Sequence, residues 1–294
     1  MPQSLKQKLG PVRRLTALPT CSMLTLTVIL SIAFAGVSIA QEDDGETKVD
    51  TKTPVLFSDG FESCNMDAWP DTFPTPIPAL GPDFWLRSDV GVTSNNGFVS
   101  EWADLCGPNN NNPAFMTVPS RQPQIVDNAL NGFPVLRFDG AQSLRLDTQV
   151  GAETFTVFVV GKNNNPSEGF GMILGPVGTG ENTQLRWESG TEILIVSIDS
   201  NLAATTSTIG DTRVYHAFSV RFDGSTLNVY RDGNFVSAHA ITTTGPWRVD
   251  QIGAWFSTFF LEGELAEIMV YHRPLSDLEH DATSLYLKRK YGLP

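Results

Sequence analysis

A run of carboxylates near the C-terminal end of the chain has the clearest potential for chemistry. Glu262 and Glu267 stand at the two ends of the segment Glu-Gly-Glu-Leu-Ala-Glu. Two carboxylates about 5 to 5.5 Å apart can hydrolyse a glycosidic bond, one as nucleophile and one as acid and base. Regular alternation places Glu267 with Leu265 and Met269 and places Glu264 on the opposite face. Glu262 and Glu267 could therefore cooperate only across a β-bulge, and otherwise they are turn and strand-end carboxylates.

A second candidate site is a group of four aromatic residues in a connection where turn residues are expected, the segment 254–260. Sugars stack their apolar C–H faces on aromatic rings while amides meet their hydroxyls, so Trp255 and Phe256 could form a binding platform. In the alternative interpretation, Phe259 and Phe260 belong to the core and Trp255 caps its edge. The amides would come from one of two asparagine groups, Asn163, Asn164 and Asn165 or the run from Asn109 to Asn112.

Acidic residues in predicted loops could bind calcium, which prefers carboxylate and carbonyl oxygens. The candidates are Asp59, Glu62, Asp139 and Asp223, and each is equally explained as a turn former. The histidines lack zinc-site spacing, and His216, in an apolar run, is interpreted as a hydrogen-bonded structural residue. Phosphate-loop and nucleophile-elbow motifs are absent from the sequence.

The elements that must position these residues follow a β pattern from Phe84 onward. Short apolar runs are separated by Gly, Asn, Asp and Pro at intervals typical of an all-β sandwich or barrel. A parallel α/β sheet would need helices between the strands, and the chain has no room for them. Strands are predicted at 98–102, 155–160, 171–174, 184–187, 193–198, 214–220, 227–230 and 265–271.

Turn signals predict where the chain reverses. Asn131-Gly132 should open a hairpin, and Asp139-Gly140 should reverse the strand that follows into a second strand ending near Leu146. The same Arg-Phe-Asp-Gly sequence recurs at 221–224 before another alternating run, which indicates a further hairpin of the same sheet structure.

One helix is predicted, at the end of the chain. Ser276 and Glu279 have the spacing of a capping box, basic residues lie late, and Gly292 is a suitable C-terminal cap. Leu278, Ala282, Leu285 and Tyr286 share a face, which predicts that this apolar stripe packs on the β-structure.

The first 80 residues differ in composition from the rest. Four basic residues precede an uncharged stretch from Met23 to Ala40, and small residues end it, which predicts a signal peptide at 1–40. An uncleaved membrane anchor is the alternative. Residues 41–53 are polar and predict a disordered spacer, 55–63 resemble a short strand, and the prolines of 64–80 predict a linker or surface strap. The globular domain is expected at 81–294.

Charge and cysteine content restrict the partners and the compartment. The net charge is −12, all 32 acidic residues follow residue 40, and no basic stripe interrupts them. Such a surface repels nucleic acid, and no later run is long enough to span a membrane, so the mature chain is expected to be secreted, periplasmic or on the cell surface. Cys64 and Cys106 remain after signal removal, and they form either one disulfide or two separate thiols.

The order of features from Phe84 to the C-terminus resembles the laminin G-like (concanavalin A-like) domains of secreted bacterial proteins. The resemblance implies a two-sheet antiparallel β-sandwich of jelly-roll type with a C-terminal helix, and commonly adhesion or carbohydrate binding. The loop 106–112 departs from the pattern. The segments that carry the resemblance are 85–92, 99–104, 131–140, 263–271 and 275–279.

Three functions remain open at this point. The first is a non-catalytic module that binds an extracellular glycan or adhesion ligand, and the resemblance adds Ca²⁺ as a candidate cofactor because domains of this fold commonly bind it. The second is a glycoside hydrolase, since laminarinase-type enzymes of the same fold carry a Glu, Asp, Glu series where this chain has Glu262, Glu264 and Glu267. The third is a structural surface protein without a small ligand.

Overall fold

The computed structural model of the protein describes residues 81–106, 112–165, 171–178, 183–188, 192–198, 201–243, 245–256 and 258–294, with 201–208 described by their backbone alone. The predicted signal peptide, spacer and proline-rich segment lie outside these residues, so the domain boundaries remain a prediction. No helix in the described ranges is both long and apolar enough to cross a membrane.

The described chain is mostly β-structure, with a short 3₁₀ turn at Pro119–Arg121 and one α-helix, α1, at Asp277–Tyr291. The strands are β1 (Phe84–Arg87), β2 (Val92–Asn95), β3 (Phe98–Trp102), β4 (Ala114–Phe115), β5 (Gln124–Leu130), β6 (Phe133–Asp139), β7 (Leu144–Val150), β8 (Phe155–Asn163), β9 (Gly171–Gly175), β10 (Gln184–Trp187), β11 (Ile193–Ile198), β12 (Asn201–Thr208), β13 (His216–Phe222), β14 (Thr226–Arg231), β15 (Asn234–Ala240), β16 (Val249–Ile252), β17 (Ala254–Trp255), β18 (Phe259–Phe260) and β19 (Glu262–Tyr271).

Strand β19 is at the centre of the first run of antiparallel pairings. It pairs with β8 along one side and with β1 and β6 along the other. From β8 the pairing continues through β13 and β14 to β15. The longest strand of the molecule therefore has neighbours on both sides, which explains why all but its first residue are buried.

A second run of antiparallel pairings connects β4, β7, β16, β9, β10, β11 and β12 in that order. Strand β3 pairs with β2, β4 and β5, and β5 pairs with β6, so the two runs join into one hydrogen-bonded sheet. A separate two-stranded sheet is formed by β17 and β18.

The main hydrophobic core takes side chains from both runs of strands. Trp102 and Trp187 are fully buried in it. Trp247 stacks on Phe155 with ring centroids 4.8 Å apart. Alternate residues of β7, β10 and β11 enter this core, which leaves the residues between them on an outer face. The core positions of these three strands are Leu144, Leu146, Leu185, Trp187, Leu194, Val196 and Ile198.

The hairpin predictions are partly confirmed. Asn131 and Gly132 have φ of 48° and 84°, as the turn that joins β5 to β6 requires. The repeat at 221–224 joins β13 to β14 as predicted. The hairpin predicted around Asp139-Gly140 is wrong, because β6 pairs with β5 and β19 whereas β7 pairs with β4 and β16. That turn leads the chain from one run of pairings to the other.

The helix is confirmed, but of the four residues predicted to face the β-structure only Tyr286 is buried. Ser276 and Glu279 form the capping box, and Gly292 ends the helix with φ of 63°. Leu278 and Leu285 are exposed, at 45% and 39%. The buried face carries polar groups that bind the sheet. Its residues are His280, Thr283, Ser284, Tyr286, Leu287, Lys290 and Tyr291.

Candidate functional site

The three glutamates of β19 are arranged around a β-bulge. Leu265 pairs with Gly161 and Glu267 with Val160, so Ala266 is the extra residue. Leu265 enters the main core, whereas Ala266 and Met269 belong to the hydrophobic cluster beneath α1. The bulge places Glu267 beside Ala266 on the helix side. It therefore overturns the regular alternation, which placed Glu267 on the face of Leu265 and opposite Glu264.

Glu267 is enclosed by hydrogen-bond donors beneath α1 and is only 1% exposed. Its carboxylate accepts hydrogen bonds from Trp85 Nε1 at 2.8 Å, Lys290 Nζ at 2.8 Å, Tyr291 Oη at 2.7 Å and Tyr286 Oη at 3.2 Å. Burial, followed by the charge of Glu267, raises the pKa of Tyr286 and Tyr291 well above the usual value, so both hydroxyls remain donors. The helix leaves this carboxylate no open face for a substrate.

Glu264 lies in a second set of charged and polar contacts, between Arg137 of β6 and Lys162 of β8. It accepts a hydrogen bond from the Tyr215 hydroxyl and from Arg137 Nε at 2.8 Å, and Lys162 Nζ lies 3.4 Å away. Burial raises the pKa of the Glu264 carboxyl, but the bonds from Tyr215 and Arg137 outweigh it and the pKa is lowered. Each carboxylate oxygen has a partner, as expected of a structural ion pair.

Glu262, by contrast, is exposed, and it accepts hydrogen bonds from the asparagine segment 163–165. Asn165 Nδ2 donates to its carboxylate at 2.9 Å, and the Asn164 backbone N–H donates to its carbonyl at 2.8 Å. Asn163 is buried, and its Oδ1 accepts the Asn165 N–H at 3.2 Å. The two outer carboxylates of the predicted catalytic pair thus have different environments, one open and one beneath the helix.

The aromatic segment forms the hairpin β17–β18. The Trp255 ring lies 4.4 Å from Phe256 and 5.2 Å from Phe259, centroid to centroid. The Arg121 guanidinium lies 5.5 Å from the centroid of Phe260. All four rings are partly exposed, and none belongs to the buried core. This position agrees with a surface platform better than with the alternative in which Phe259 and Phe260 fill the core.

Two details of this hairpin concern its backbone and its indole. Phe256 has φ of 53°, in the left-handed region that a bulky residue rarely occupies. Among the described residues the buried Nε1 of Trp255 has no hydrogen-bond partner, and the same holds for the indoles of the core residues Trp187 and Trp247. Trp255 differs from these two because its ring is partly exposed.

Of the second asparagine group, Asn109 to Asn112, the structure describes Asn112. Asn112 binds strand β7 through both ends of its amide, because Nδ2 donates to the Thr148 carbonyl at 2.9 Å and Oδ1 accepts the Thr148 N–H at 3.0 Å. Asn112 therefore has a structural role. Asn109, Asn110 and Asn111 lie outside the described residues.

Two of the four predicted metal ligands, Asp139 and Asp223, lie in the described part of the chain, and they have separate surroundings. Asp223 Oδ1 accepts the backbone N–H groups of Thr226 at 2.7 Å and Ser225 at 2.8 Å, and these bonds lower its pKa. Asp139 is exposed at the end of β6. In the described part of the chain, no three His, Cys, Asp or Glu residues form a group suited to a metal ion. Asp59 and Glu62 lie outside it.

His216 has the structural role predicted for it, since its Nδ1 lies 2.6 Å from Asp232 Oδ2. Cys106 is fully buried beside the helix cluster, and its backbone N–H donates to Asp104 at 3.0 Å. Cys64 lies outside the described residues, so the pairing of the two cysteines stays a prediction.

Sequence reasoning missed two glutamines, Gln184 on β10 and Gln251 on β16. Both are buried, at 3% and 0% exposed, on the outer face of the second run of strands. Within the described part of the chain, Gln184 Oε1 and both polar atoms of the Gln251 amide have no hydrogen-bond partner. The available signal was a glutamine inside each of two short apolar strands, where an amide needs a partner.

No protein-family model matches the chain, and no curated protein matches its sequence. Solved structures do match its fold. Trypanosoma rangeli sialidase in complex with the inhibitor DANA has a TM-score of 0.52 and 16% identity over 76% of this chain and 36% of the sialidase. The binding domain of botulinum neurotoxin serotype D has a TM-score of 0.50 and 10% identity over 72% of this chain and 54% of that chain.

A further structure, the serotype D ligand-binding domain in complex with N-acetylneuraminic acid, has a TM-score of 0.49 and 10% identity over 70% of this chain and 50% of that chain. The chain thus spans about a third of the sialidase and about half of the toxin chains. At these identities the likeness to the sialidase and to the first toxin structure concerns the fold alone.

Proposed function

We propose that this protein is a non-catalytic glycan-binding module of the laminin G-like type, which binds sugar at the hairpin β17–β18. The observation that carries the proposal is the cluster of four partly exposed rings around an unpaired Trp255 indole N–H. A sugar ring offers an apolar face for the aromatic side chains and hydroxyls that accept from the indole.

The two-sheet jelly roll is part of this proposal. It is supported by the main core, to which both runs of strands contribute side chains, as two sheets packed face to face would. The fold likeness to a sialidase and to a toxin binding domain is compatible with this architecture. The sugar ligand rests on the hairpin of this chain, because fold alone does not determine function.

Polar groups lie close to the rings along the chain. Glu262 follows Phe260 by two residues and is exposed, and its carboxylate already orients the Asn165 amide. Phe256 keeps its ring beside Trp255 at the cost of a left-handed backbone, and such strain is common at ligand sites. The combination of an apolar platform with amide and carboxylate groups is suited to a hydroxylated ligand.

Export is proposed together with this function. A removed signal at 1–40 would place the acidic domain outside the cytoplasm, where glycans are accessible and where Cys64 and Cys106 could form a disulfide. The hydrolase alternative requires a β-bulge between Glu262 and Glu267, and a bulge is present at Ala266. It is disfavoured because Glu267 is enclosed by four side chains beneath α1.

The test is a glycan array probed with the wild-type protein and with Trp255→Ala. Wild type should bind at least one class of glycan, and the variant should bind it about tenfold more weakly or worse, because one stacked ring and one hydrogen bond are lost. Phe235→Ala is the matched control, since Phe235 is an aromatic residue 60% exposed on β15.

The control variant should bind like wild type, and thermal melting should show that both variants are folded. Failure of the wild-type protein to bind any glycan would favour the structural surface protein. Equal binding by wild type and Trp255→Ala would place the site elsewhere on the molecule.

A further inference from the structure

Two hairpin turns of this molecule have the same sequence and the same backbone conformation. The tripeptide Asn-Gly-Phe at 96–98 joins β2 to β3, and the same tripeptide at 131–133 joins β5 to β6. The two asparagines have φ of 52° and 48°, and the two glycines have φ of 83° and 84°. Both turns are therefore two-residue loops of type I′, for which Asn-Gly is a preferred pair. A chemical difference between them must come from their surroundings.

Asparagine followed by glycine can react with its own backbone in water. The glycine nitrogen attacks Cγ of the asparagine, and glycine has no Cβ to hinder this approach. A bond forms between these two atoms, the Cγ–Nδ2 bond breaks, and ammonia leaves with the proton of the glycine N–H. Water then opens the resulting succinimide at either carbonyl, which gives aspartate or isoaspartate and adds a negative charge.

Access for water and for the attacking nitrogen is alike in the two turns. Asn96 and Asn131 are both exposed. A Cβ on Gly97 or on Gly132 would meet no atom within 4 Å, so the space beside both glycines is open. Neither glycine N–H donates a hydrogen bond to the described residues. The reacting atoms of the two turns thus differ only in what the asparagine side chain contacts.

The side chain of Asn131 is held by the end of the helix. Its Nδ2 donates to the Lys290 carbonyl at 2.8 Å, and this carbonyl belongs to the last turn of α1. Its Cγ lies against Gly292, the C-cap, where a Cβ would be only 3.3 Å away. The amide that would leave is bonded, and the carbon that would be attacked is covered on one side. Asn96 has no side-chain hydrogen bond within the described ranges.

We propose that Asn96 is a site of spontaneous deamidation and that its contact with the end of α1 protects Asn131 from the same reaction. The asparagine side chain must rotate until Cγ meets the next backbone nitrogen. Asn96 can do so without breaking a hydrogen bond, at the tip of a hairpin whose preceding residues, 93–95, are exposed. Asn131 must first release Lys290 and leave Gly292. Asn96 lies outside the hairpin β17–β18, so the reaction is independent of the proposed sugar site.

The same modification would have different costs at the two positions. At position 131 it would replace the donor to the Lys290 carbonyl by an acceptor. It would also put a negative charge at the C-terminal end of a helix, where the helix dipole disfavours it. At position 96 the new charge would lie in solvent. The fold thereby directs the modification to the turn in which it disturbs the structure less.

Peptide mass spectrometry tests the proposal on the folded full chain, incubated at physiological temperature and mildly alkaline pH. Cleavage after arginine places Asn96 in the peptide 88–121 and Asn131 in the peptide 122–137, and fragmentation locates the modified residue. Deamidation at Asn96 should be faster than at Asn131 by about fivefold or more, the factor expected of one hydrogen bond. In urea the two rates should become equal, because the reacting tripeptides are identical.

A pair of substitutions tests whether the helix is the protecting element. Lys290, whose carbonyl accepts from Asn131, donates through Nζ to Glu267 at 2.8 Å. Glu267→Ala should therefore loosen the end of α1 and speed deamidation at Asn131 while the rate at Asn96 stays the same. Glu262→Ala is the control, because Glu262 is an exposed glutamate on the same strand, and it should leave both rates unchanged.

Three results would overturn the proposal. Equal rates at the two asparagines of the folded protein would show that the contact with the helix gives no protection. No reaction at either site, in the time that the chain in urea needs to react, would show that the turn itself prevents the attack. An unchanged rate at Asn131 in Glu267→Ala would mean that something other than the helix protects this residue.

Stability measurements on the two turns provide a second matched comparison. Asn131→Asp should lower the melting temperature by about 2–4 °C, because the Lys290 carbonyl loses its donor and gains a like charge. Asn96→Asp changes the same residue type in the same turn and should melt like wild type. Equal melting temperatures for the two variants would contradict the role given to the contact between Asn131 and α1.

Discussion

Two of the buried polar groups of this molecule, the carboxylate of Glu267 beneath α1 and the amide of Gln251 beside the hairpin β17–β18, differ in how far their hydrogen-bonding capacity is used. Four side chains, one from β1 and three from α1, donate to the single carboxylate of Glu267. The amide of Gln251, equally buried, has no hydrogen-bond partner among the described residues. The first group is complete within the protein, whereas the second offers unused hydrogen-bonding capacity.

The difference teaches how burial should be interpreted on this fold. A buried charge with its full set of partners fixes the helix to the sheet, and losing one partner is costly. A buried amide without partners costs stability unless something else pairs with it. A buried polar group that has its full set of partners therefore indicates a structural role on the helix side. A buried polar group without partners indicates a candidate ligand position on the hairpin side.

The largest expected effect comes from breaking the group beneath the helix. Glu267→Ala leaves Lys290, Trp85 and two tyrosine hydroxyls without their shared acceptor, and the free energy of unfolding should fall by about 3–5 kcal/mol. Lys290 retains Asp89 at 3.1 Å, which keeps the loss toward the lower part of that range. Urea unfolding measures it as a lower midpoint.

Glu262→Ala is the control for that experiment, since Glu262 is an exposed glutamate on the same strand. Its unfolding free energy should stay within about 0.5 kcal/mol of wild type. A Glu267→Ala protein as stable as the control would mean that the helix is held by apolar contacts alone.

A smaller effect is expected from acid on the helix side. Burial, with a contribution from Arg221, lowers the pKa of His280 to about 4, and its Nε2 lies 2.8 Å from Ser219 Oγ. The unfolded chain takes up this proton near pH 6.5 and the folded chain only near pH 4. Stability is therefore present above pH 6.5 and is lost as the pH falls toward 4.

For this fully buried group the loss amounts to about 3 kcal/mol across that window. His280→Gln keeps a hydrogen-bonding group beside Ser219 and removes the titration, so its stability should change less between pH 7 and pH 4.5. The measurement is the urea midpoint at each pH. Parallel curves for the two proteins would contradict the role of His280.

The smallest effect tests the hairpin itself. Phe256→Gly relieves a left-handed backbone, worth about 1–2 kcal/mol, and loses the ring contact with Trp255. Phe256→Ala loses the same ring without full relief. The glycine variant should be more stable than the alanine variant by about 1 kcal/mol, and both should bind glycan more weakly than wild type. Equal stability of the two variants would show that the backbone there is unstrained.

Local signals predicted much of the β-structure. Strands β3, β10 and β11 have the bounds that apolar runs indicated, and the turns at Asn131-Gly132 and 221–224 join neighbouring strands. These features depend on residues close together in sequence. The failed turn at Asp139-Gly140 has the same residue types, but its strand partners lie far along the chain, where local pattern carries no information.

The helix face was predicted correctly only at Tyr286, for a related reason. The apolar stripe of Leu278 and Leu285 is the natural prediction, but the buried face is set by polar partners on the sheet. Ser219 binds His280, and Glu267 binds Lys290 and Tyr291. A repeating pattern of residue types along the sequence does not predict such pairs.

In the candidate site, the aromatic segment could be predicted from composition, because four rings in a turn are unusual. The bulge at Ala266 could not, because β19 is apolar on both faces, with Leu265 and Ile268 in the main core and Ala266 and Met269 in the cluster beneath α1. The shift in phase that the bulge causes therefore does not appear as a change between polar and apolar residues.

The hairpin β17–β18 is attached to the body at its base. Leu261 donates its N–H to the Gly253 carbonyl at 2.8 Å, and Gly253 donates to the Ile173 carbonyl at 2.9 Å. Strand β17 pairs with β18 in a two-stranded sheet that is separate from the larger sheet. The residues between Gly253 and Leu261 can therefore be exchanged without breaking a ladder of the larger sheet, and grafting other loops at this point offers a way to engineer new ligand preferences on an unchanged scaffold.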